Sequence, residues 1–384
     1  MSDFPTCADE LTLSWLQNQL SQAFPNSTLE GFSLETIGVG QGFMGQLVRI
    51  QLDFQEHRPD LPDTIIAKFA SAKLETRELA AKMNYYGREI GFYQDFHSQA
   101  GIPIPKSFAI HYDAANSHFV LLLEDLAPAT ITDQVEGNSE AESEQVIIAF
   151  ARFHSHWWNS PALLTTSWAE SITNARPISD TLELFMNSMR QAEQTQRFAA
   201  YPEMQRLIPL LIPLFRMEPP QPFPFTLVHG DLRSDNIFFP RNSRGHFKVI
   251  DWQTTGIGQP MTDIARWLTQ SISIEQRRKT EHTLLQLYHR QLVANGINNY
   301  SYKSMLNEYK LNLVVTLLMF SMSMDDIDQS SDRAAPLFHV MYSRLDAALV
   351  DWEVEKILKI LPYLLPFMKL STWIKTKLAR SQTP

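Results

Sequence analysis

The chain has 384 residues, of which 44% are hydrophobic and 20% charged, the proportions of an ordinary globular protein. Its formal net charge of −9 argues against binding to nucleic acid, and its one cysteine, Cys7, excludes both a disulfide and a cysteine-based zinc cluster within these residues. The N-terminal sequence lacks the basic start and apolar core of a secretory signal, so we expect a cytoplasmic location.

The first third of the chain is predicted to be rich in β-strands. Taken in chain order, the periodicity predicts a helix at 8–24, strands at 32–37, 47–54 and 64–70, a helix at 75–99, and a strand pair near 107–112 and 118–123. From 139 to 217 and from 262 to 384 nearly all the periodicity is helical. We therefore predict an α+β, bilobed arrangement, with a β-rich N-terminal lobe at 1–123, a mainly helical C-terminal lobe at 124–384, and a cleft where they join.

Two apolar stretches near the C-terminus bear on the question of a membrane-spanning segment. Leu311–Met324 is too short to cross a bilayer, and Pro362 and Pro366 interrupt the stretch 357–370. We therefore predict no transmembrane segment. Residues 361–379 are compatible both with a peripheral membrane contact and with a helix that closes the core.

The most informative segment is 226–252, TLVHGDLRSDNIFFPRNSRGHFKVIDW. A short apolar run leads to Asp231, and Asn236 follows five residues later. Two β-rich runs joined by a turn-like sequence then lead to Asp251, so a hairpin would bring Asp251 back towards the first loop. This order suits Mg²⁺-dependent phosphoryl transfer, with Asp231 as the base that orients a substrate hydroxyl and Asn236 with Asp251 as oxygen ligands of Mg²⁺.

A lysine within an apolar strand gives a second indication. Lys68 lies in the sequence TIIAKFA, where an unpaired cation is costly to bury. A role in binding nucleotide phosphates requires a carboxylate that fixes the lysine, and Glu89 on the next predicted helix is a candidate, in competition with Glu75 and Glu78. The alternative is a surface lysine on an edge strand.

A glycine-rich sequence precedes that lysine. Gly40, Gly42 and Gly45 form a G-x-G-x-x-G pattern, and the absence of side chains allows backbone amides to approach phosphates. In a dinucleotide-binding motif a helix would follow the glycines. Here the strand LVRIQLDF follows, which favours the hairpin loop of a kinase.

Three further polar residues each have two interpretations. Arg233 either stabilises the transferred phosphate or braces the loop beside Asp231. Asp263 is expected to cap the N-terminus of a helix, a role compatible with support of the catalytic loop. His154 is expected to be a core histidine rather than a catalytic one.

The segments VHGDLRSDNIFF, VIDWQ and MTDIARWL resemble those of the aminoglycoside phosphotransferase and choline kinase superfamily of protein-kinase-like small-molecule kinases. LLLEDL at 121–126, together with HGDL, NIFF and DWQ, is most similar to the ecdysteroid-kinase-like branch of that superfamily. The resemblance spans residues 32–270. It implies a protein-kinase-like fold, ATP as phosphate donor, a Mg²⁺ cofactor and a small-molecule acceptor with a hydroxyl group.

The resemblance implies the same roles for Lys68, Glu89, Asp231, Asn236 and Asp251 and adds a contact for the nucleotide base. Backbone atoms from Glu124 to Leu126 would meet the adenine. The chain departs from protein kinases at Gly230, where arginine is usual, and no A-P-E segment follows, so a protein substrate is not expected. Arg233 stands where the ecdysteroid-kinase-like branch often has an aromatic residue, which argues against steroid specificity.

The sequence thus favours an ATP- and Mg²⁺-dependent O-phosphotransferase for a small metabolite, steroid-like alcohol, amino-alcohol or antibiotic. Asp325, Asp326, Asp328 and Asp332 would attract an amine-bearing acceptor, although a solvated loop explains them better. Aromatic and methionine residues in 311–343 would suit an apolar acceptor, or simply pack the core. The alternatives are a nucleotide-binding scaffold without transfer activity and a two-metal hydrolase that uses Asp231, Asp251 and Asp263.

Overall fold

The computed structural model describes residues 3–37, 45–170, 178–216, 224–240, 247–322 and 334–360. The chain forms two compact units, a first unit of Met1–Ile131 with Asn236–Thr255 and a second unit of Thr132–Asp235 with Gly256–Pro384. Asn236 and Asp251 therefore belong to the first unit, and Asp231 belongs to the second. The lobes expected from the sequence, 1–123 and 124–384, stay a prediction.

The structure has strands in both units. In chain order they are β1 (Leu29–Ile37), β2 (Gly45–Phe54), β3 (Thr64–Ala70), β4 (Ser107–Asp113), β5 (His118–Glu124), β6 (Thr130–Ile131), β7 (Thr226–Val228), β8 (Ile237–Phe239), β9 (Lys248–Val249) and β10 (Gly256–Gly258).

The described helices lie mostly in the second unit. In chain order they are α1 (Leu13–Leu20), α2 (Leu74–Lys82), α3 (Tyr85–Phe96), α4 (Glu140–His156), α5 (Pro161–Thr165), α6 (Ile178–Thr195), α7 (Pro202–Leu207), α8 (Met261–Gln270), α9 (Ile274–Ala294), α10 (Tyr302–Met322) and α11 (Ala334–Asp351). Short 3-10 helices occupy Ala8–Glu10, His97–Gln99, Ile208–Arg216, Ser234–Asn236 and Trp252–Thr254.

A five-stranded antiparallel sheet with the order β1-β2-β3-β5-β4 forms the framework of the first unit. Helix α1 begins at Thr12, whose side chain accepts a hydrogen bond from the Trp15 amide, and it packs its apolar face on one side of the sheet. Residues along a strand alternate between the two faces. Ala67 and Phe69 therefore enter this core, while Lys68 points to the opposite face.

The helix expected over 75–99 is divided in the structure. Helix α2 ends near Met83, and α3 begins after Asn84, whose backbone adopts the left-handed conformation with φ of 54°. A left-handed residue cannot continue an α-helix, so the chain changes direction there. This break sets the direction of α3, the helix that carries Glu89.

The second unit is built from packed helices. Helix α4 begins with a capping box formed by Ser139 and Glu142 and packs against α9, while α8 packs against α10. The short strands β7 and β10 pair antiparallel and flank the segment that contains Asp231. Together with the sheet of the first unit, these helices confirm the predicted α+β class.

Three regions singled out in the sequence lie outside the described residues. They are the glycine positions Gly40 and Gly42, the acidic stretch at 325–332, and the C-terminal segment 361–379. Within the part of the chain that is described, every helix is too short or too polar to cross a bilayer.

Candidate active site

Lys68 is the centre of a buried ion-pair cluster in the first unit. Its Nζ donates to the Glu89 carboxylate at 2.8 Å and to Asp251 Oδ1 at 2.9 Å. Glu89, rather than Glu75 or Glu78, is therefore its partner on the helices that follow β3. We call Lys68, Glu89 and Asp251 the lysine cluster.

Aromatic stacking and a buried arginine hold the members of the lysine cluster together. Trp252, next to Asp251, stacks on Phe92 of α3 with ring centroids 3.9 Å apart and an interplanar angle of 11°. Arg88, also on α3, donates to the carbonyl of Thr255 at 2.7 Å. Because Phe92 follows Glu89 by one helical turn, the stack fixes Asp251 beside Glu89.

The charges of the lysine cluster depend on each other. Burial lowers the pKa of Lys68, but the carboxylates of Asp251 and Glu89 outweigh burial and raise this pKa. Burial raises the pKa of Glu89, and the ammonium of Lys68 opposes that rise. The two carboxylates thus keep the ammonium charged despite its burial.

Asn236 and Asp251 lie at the same end of the β8–β9 hairpin. Ile237 pairs with Val249 in the antiparallel register, and the Ile250 amide donates to the Asn236 carbonyl at 3.0 Å. Asp251 has a left-handed backbone, with φ of 64°, a conformation that is costly for a residue with a side chain. The hairpin therefore brings the predicted metal ligands to one place. The turn between the strands, residues 241–246, lies outside the described residues.

The oxygen atoms of Asn236 and Asp251 fit a Mg²⁺ ion by their chemistry. Mg²⁺ in nucleotide sites is held by one or two carboxylates, with phosphate oxygens and water completing the coordination. Oδ1 of Asp251 accepts from Lys68 and Oδ2 from Gln253 at 3.2 Å, and each carboxylate oxygen retains a further lone pair. Among the described residues no group of three or more His, Cys, Asp and Glu side chains is arranged to hold a metal ion.

The loop before Asp231 is held in the second unit by a buried carboxylate. Oδ2 of Asp263 accepts from the His229 amide at 2.8 Å, and its Oδ1 accepts from the Gly230 amide at 2.9 Å. The expectation that Asp263 caps its helix was wrong, since Pro260 precedes the first turn of α8 and the carboxylate points to the loop amides instead. Asp263 therefore fixes the backbone that presents Asp231.

His154 belongs to the same support and has the core position that the sequence indicated. The side chain is fully buried, with Nε2 at 3.1 Å from Asp263 and Nδ1 at 2.6 Å from the Tyr288 hydroxyl. The histidine therefore links helices α4 and α9 to the carboxylate of α8.

Two arginines flank the Asp231 carboxylate. Arg233 Nε donates to Oδ2 at 3.2 Å, and a terminal nitrogen of Arg266 from α8 forms an ion pair with Oδ1. Burial raises the pKa of Asp231, but the charges of Arg266 and Arg233 outweigh burial and lower this pKa to about 2. We call Asp231, Arg233 and Arg266 the aspartate cluster. Its carboxylate stays ionised at neutral pH.

Arg233 is in turn fixed by two other acceptors. Its Nη1 donates to Gln134 at 3.0 Å and to Asp235 at 2.8 Å. Arg344 of α11 donates to the carbonyl of Gln134 at 2.7 Å. In this structure Arg233 therefore braces the loop, and a contact with the transferred phosphate stays a prediction.

The remaining predicted positions lie along the sheet of the first unit. Gly45 begins β2, and a Cβ at this residue would stand 2.6 Å from the Phe69 carbonyl, so only glycine fits without a shift. The amide of Glu124 donates to Lys106, and the carbonyl of Leu126 accepts from Ala129, both at 2.8 Å. Their predicted contact with adenine stays a prediction.

Arg266 is the main residue that the sequence reasoning missed. In the sequence it is one of several charged residues in a predicted helix, and its partner Asp231 lies on a distant loop. Helical spacing was the one signal in the sequence. Arg266 lies three residues after Asp263, so both side chains lie on one face of the helix, and in the structure this face contacts the loop that carries Asp231.

Comparisons with known proteins identify the family of the chain and relatives of its fold. A family model described as the ecdysteroid kinase-like family matches residues 39–298. Acyl-CoA dehydrogenase family member 10 of Mus musculus is 25% identical over 256 residues, which cover 64% of this chain. The matched region is only 22% of the length of the mouse protein.

The fold also matches a solved structure. A predicted aminoglycoside phosphotransferase from Ralstonia eutropha JMP134 is similar with a TM-score of 0.54 and 16% identity, and the match covers 90% of this chain and 98% of that one. This likeness supports the kinase-like fold expected from the sequence. Because the family model matches more than half of its residues, the chain belongs to the ecdysteroid kinase-like family.

Proposed function

We propose that the protein is an ATP- and Mg²⁺-dependent O-phosphotransferase that phosphorylates a hydroxyl group of a small molecule. The observation that carries the proposal is the lysine cluster, in which Lys68 contacts Glu89 and Asp251 together. A lysine fixed by a helix carboxylate and placed beside a metal-binding aspartate is the arrangement that holds nucleotide phosphates in kinases. Membership of the ecdysteroid kinase-like family supports the same activity.

In this proposal Asn236 and Asp251 hold the Mg²⁺ ion, which supplies charge neutralisation on the phosphate oxygens. Asp231 accepts a hydrogen bond from the acceptor hydroxyl and directs an oxygen lone pair at the γ-phosphorus. As the new P–O bond forms, the bond from that phosphorus to ADP breaks, and the hydroxyl proton passes to the Asp231 carboxylate late in the transfer. Because its pKa is about 2, Asp231 orients the hydroxyl as an ionised acceptor and is too weak a base to remove the proton early. Catalysis then rests on positioning and on electrostatic stabilisation.

The test is transfer of labelled γ-phosphate from ATP to a panel of alcohols and amino-alcohols, with Asp231→Asn as the variant. We expect a loss of about 10³-fold in kcat, since the amide cannot orient the hydroxyl as an anion does. The dissociation constant for the nucleotide, measured by calorimetry, should change by less than about threefold, because Asp231 is not assigned to nucleotide binding.

Asp53→Asn, at an exposed position of β2, is the matched control and should behave as the wild type. Transfer that survives in Asp231→Asn would remove Asp231 from the proposed mechanism. A wild-type protein that binds ATP and transfers phosphate to no acceptor would instead favour the scaffold alternative.

A further inference from the structure

Arg266 is a largely buried cation whose hydrogen-bonding capacity is mostly unused. Its side chain is only 13% exposed, and among the described residues Asp231 is its one carboxylate partner. Its other contacts are weak, with Nη1 4.0 Å from the Met319 sulfur and the guanidinium carbon 5.9 Å from the centre of the Phe320 ring. Within the described residues its Nε is buried without a hydrogen-bond partner.

Two other buried arginines of the second unit, Arg233 and Arg344, are much better satisfied. Arg233 donates to Asp231, Gln134 and Asp235, and Arg344 donates to three backbone carbonyls at 2.7 to 3.0 Å. A guanidinium carries five N–H donors, and burial of such donors without acceptors costs free energy. Arg266 differs from these residues because its remaining donors face a methionine and a phenylalanine.

Gln270 gives a second, independent observation at the same place. It lies one helical turn after Arg266 on α8, and residues at this spacing share a face of the helix. Gln270 is fully buried, and both Oε1 and Nε2 of its side chain are without a hydrogen-bond partner within the described residues. Two neighbouring side chains of α8 therefore have buried polar groups available for a ligand.

We infer that Arg266 binds an anionic oxygen group of the acceptor, a carboxylate, phosphate or sulfate, and that Gln270 supports that contact. The inference rests on the proposed function and narrows its substrate class to hydroxyl compounds that carry an acid group. An anion satisfies the guanidinium through a charge-assisted, paired hydrogen bond. Arg266 also pairs with Asp231, which in the proposed function accepts from the hydroxyl, so the guanidinium would contact the acid group directly and the hydroxyl only through Asp231.

This arrangement limits where the acid group lies in the acceptor. The acid group would contact the guanidinium and the hydroxyl would contact the carboxylate paired with it, so adjacent side chains hold the two groups of the acceptor, each through a hydrogen bond of about 2.8 Å. An amine at the same place would meet the guanidinium of Arg266, and like charges in a buried site repel. The acceptor expected from the aspartate cluster is therefore a hydroxy acid or a phosphorylated alcohol, and not an amino-alcohol.

The experiment compares phosphate transfer to an acid, an ester and an amine of matched chain length, at two lengths. The short set is lactate, methyl lactate and 1-amino-2-propanol, and the longer set is 3-hydroxybutyrate, methyl 3-hydroxybutyrate and 4-amino-2-butanol. Glycerol 3-phosphate distinguishes a phosphate from a carboxylate. We expect the wild type to favour the acids over the ester and the amine by at least about tenfold in kcat/KM. Arg266→Met should lower kcat/KM for the acids by about 10- to 100-fold, the range of a charged hydrogen-bonded pair, and for the ester by less than about threefold.

Two further variants separate binding of the anion from folding and from positioning of Asp231. Arg266→Lys keeps the positive charge but lacks the paired N–H donors of the guanidinium. Its kcat/KM for the acids should therefore lie between the values for the wild type and Arg266→Met. Arg190→Met, on the exposed face of α6, should leave kcat/KM unchanged for every acceptor. A wild type that prefers the ester or the amine would overturn the inference, as would an Arg266→Met loss that is equal for acid and ester.

A direct binding measurement separates this inference from the proposed function. The Nε–H resonance of Arg266, observed by NMR, should shift in a saturable way when propionate is added. If no acceptor is phosphorylated, the proposed function fails, but this shift would still establish the anion site. An unchanged Arg266 resonance would overturn the inference even if phosphate transfer is observed.

Discussion

The lysine cluster and the aspartate cluster bury charge by opposite arrangements. In the first, a single cation lies between two carboxylates, and in the second, a single carboxylate lies between two guanidinium groups. The pKa of the central group moves accordingly, upward for Lys68 and downward to about 2 for Asp231. Both central groups are therefore held in their charged forms.

The comparison shows that the two clusters suit different ligands. The lysine cluster has an excess of negative charge, which suits a site that takes up Mg²⁺ together with phosphates. In the aspartate cluster Arg233 is also paired with Asp235, so Arg266 is the guanidinium with capacity for a further acid group. The charge of the groups that keep bonding capacity, more than the identity of the central residue, indicates what each cluster is able to bind.

The largest effect is expected when the cation is removed from the lysine cluster. In Lys68→Met, the carboxylates of Glu89 and Asp251 lose their shared partner, and buried charges without a partner are strongly destabilising. We expect the free energy of unfolding, measured by urea titration, to fall by about 3–5 kcal/mol.

Two controls sharpen that prediction. Lys73→Met, at an exposed position before α2, should change the free energy of unfolding by less than about 0.5 kcal/mol. The double variant Lys68→Met with Glu89→Gln should recover part of the loss, because one of the two repelling carboxylates is then neutral. A double variant less stable than Lys68→Met alone would show that charge repulsion is not the cause.

In both clusters, flanking groups of opposite charge keep a buried group ionised. Glu308 of α10 is the contrasting case, a buried carboxylate without a cation beside it among the described residues. It accepts from the Met261 amide at 3.1 Å, and burial raises its pKa to about 8. Between pH 4.5 and 8 the folded protein keeps this proton while the unfolded chain releases it, so stability falls as the pH rises through that window. Glu308→Gln keeps the acceptor oxygen without the titration.

We expect Glu308→Gln to be about as stable as the wild type near pH 4.5 and more stable by on the order of 4 kcal/mol at pH 8. Thermal unfolding at a series of pH values measures the difference. Glu144→Gln, at an exposed position of α4, is the control and should follow the wild type throughout. If the unfolding temperatures of Glu308→Gln and the wild type change in parallel with pH, Glu308 is ionised in the folded protein at neutral pH.

Part of the lysine cluster was predictable because its signals are local. A lysine in the apolar strand β3 requires a partner, and a carboxylate on the next helix is the simplest source. The β-rich runs on either side of RNSRGH predict the hairpin that brings Asn236 and Asp251 to one end. The stack of Trp252 on Phe92 was not predictable, since nothing in the sequence relates these two residues.

The aspartate cluster was harder to predict because its contacts join distant segments. Asp231 is visible from its motif, whereas Arg266 is indistinguishable in the sequence from a solvated cation on an amphipathic helix. The break at Asn84 was missed for a similar reason, because the apolar spacing continues across it while the backbone does not. Periodicity identifies which residues share a face but not which distant segment that face meets.

A smaller effect is expected where a buried anion is held by backbone amides instead of cations. In Asp263→Asn, the side-chain oxygen still accepts a hydrogen bond from one backbone amide. The new NH₂ group faces the other backbone amide, that of His229 or Gly230, which is also a donor. The variant should lose about 2 kcal/mol in the free energy of unfolding, the cost of an unsatisfied buried donor. Hydrogen exchange at the His229 and Gly230 amides should become faster, while Asp53→Asn leaves it unchanged. If exchange at these amides is unaffected in Asp263→Asn, the carboxylate is not what fixes the loop, and the orientation of Asp231 must depend on its arginines alone.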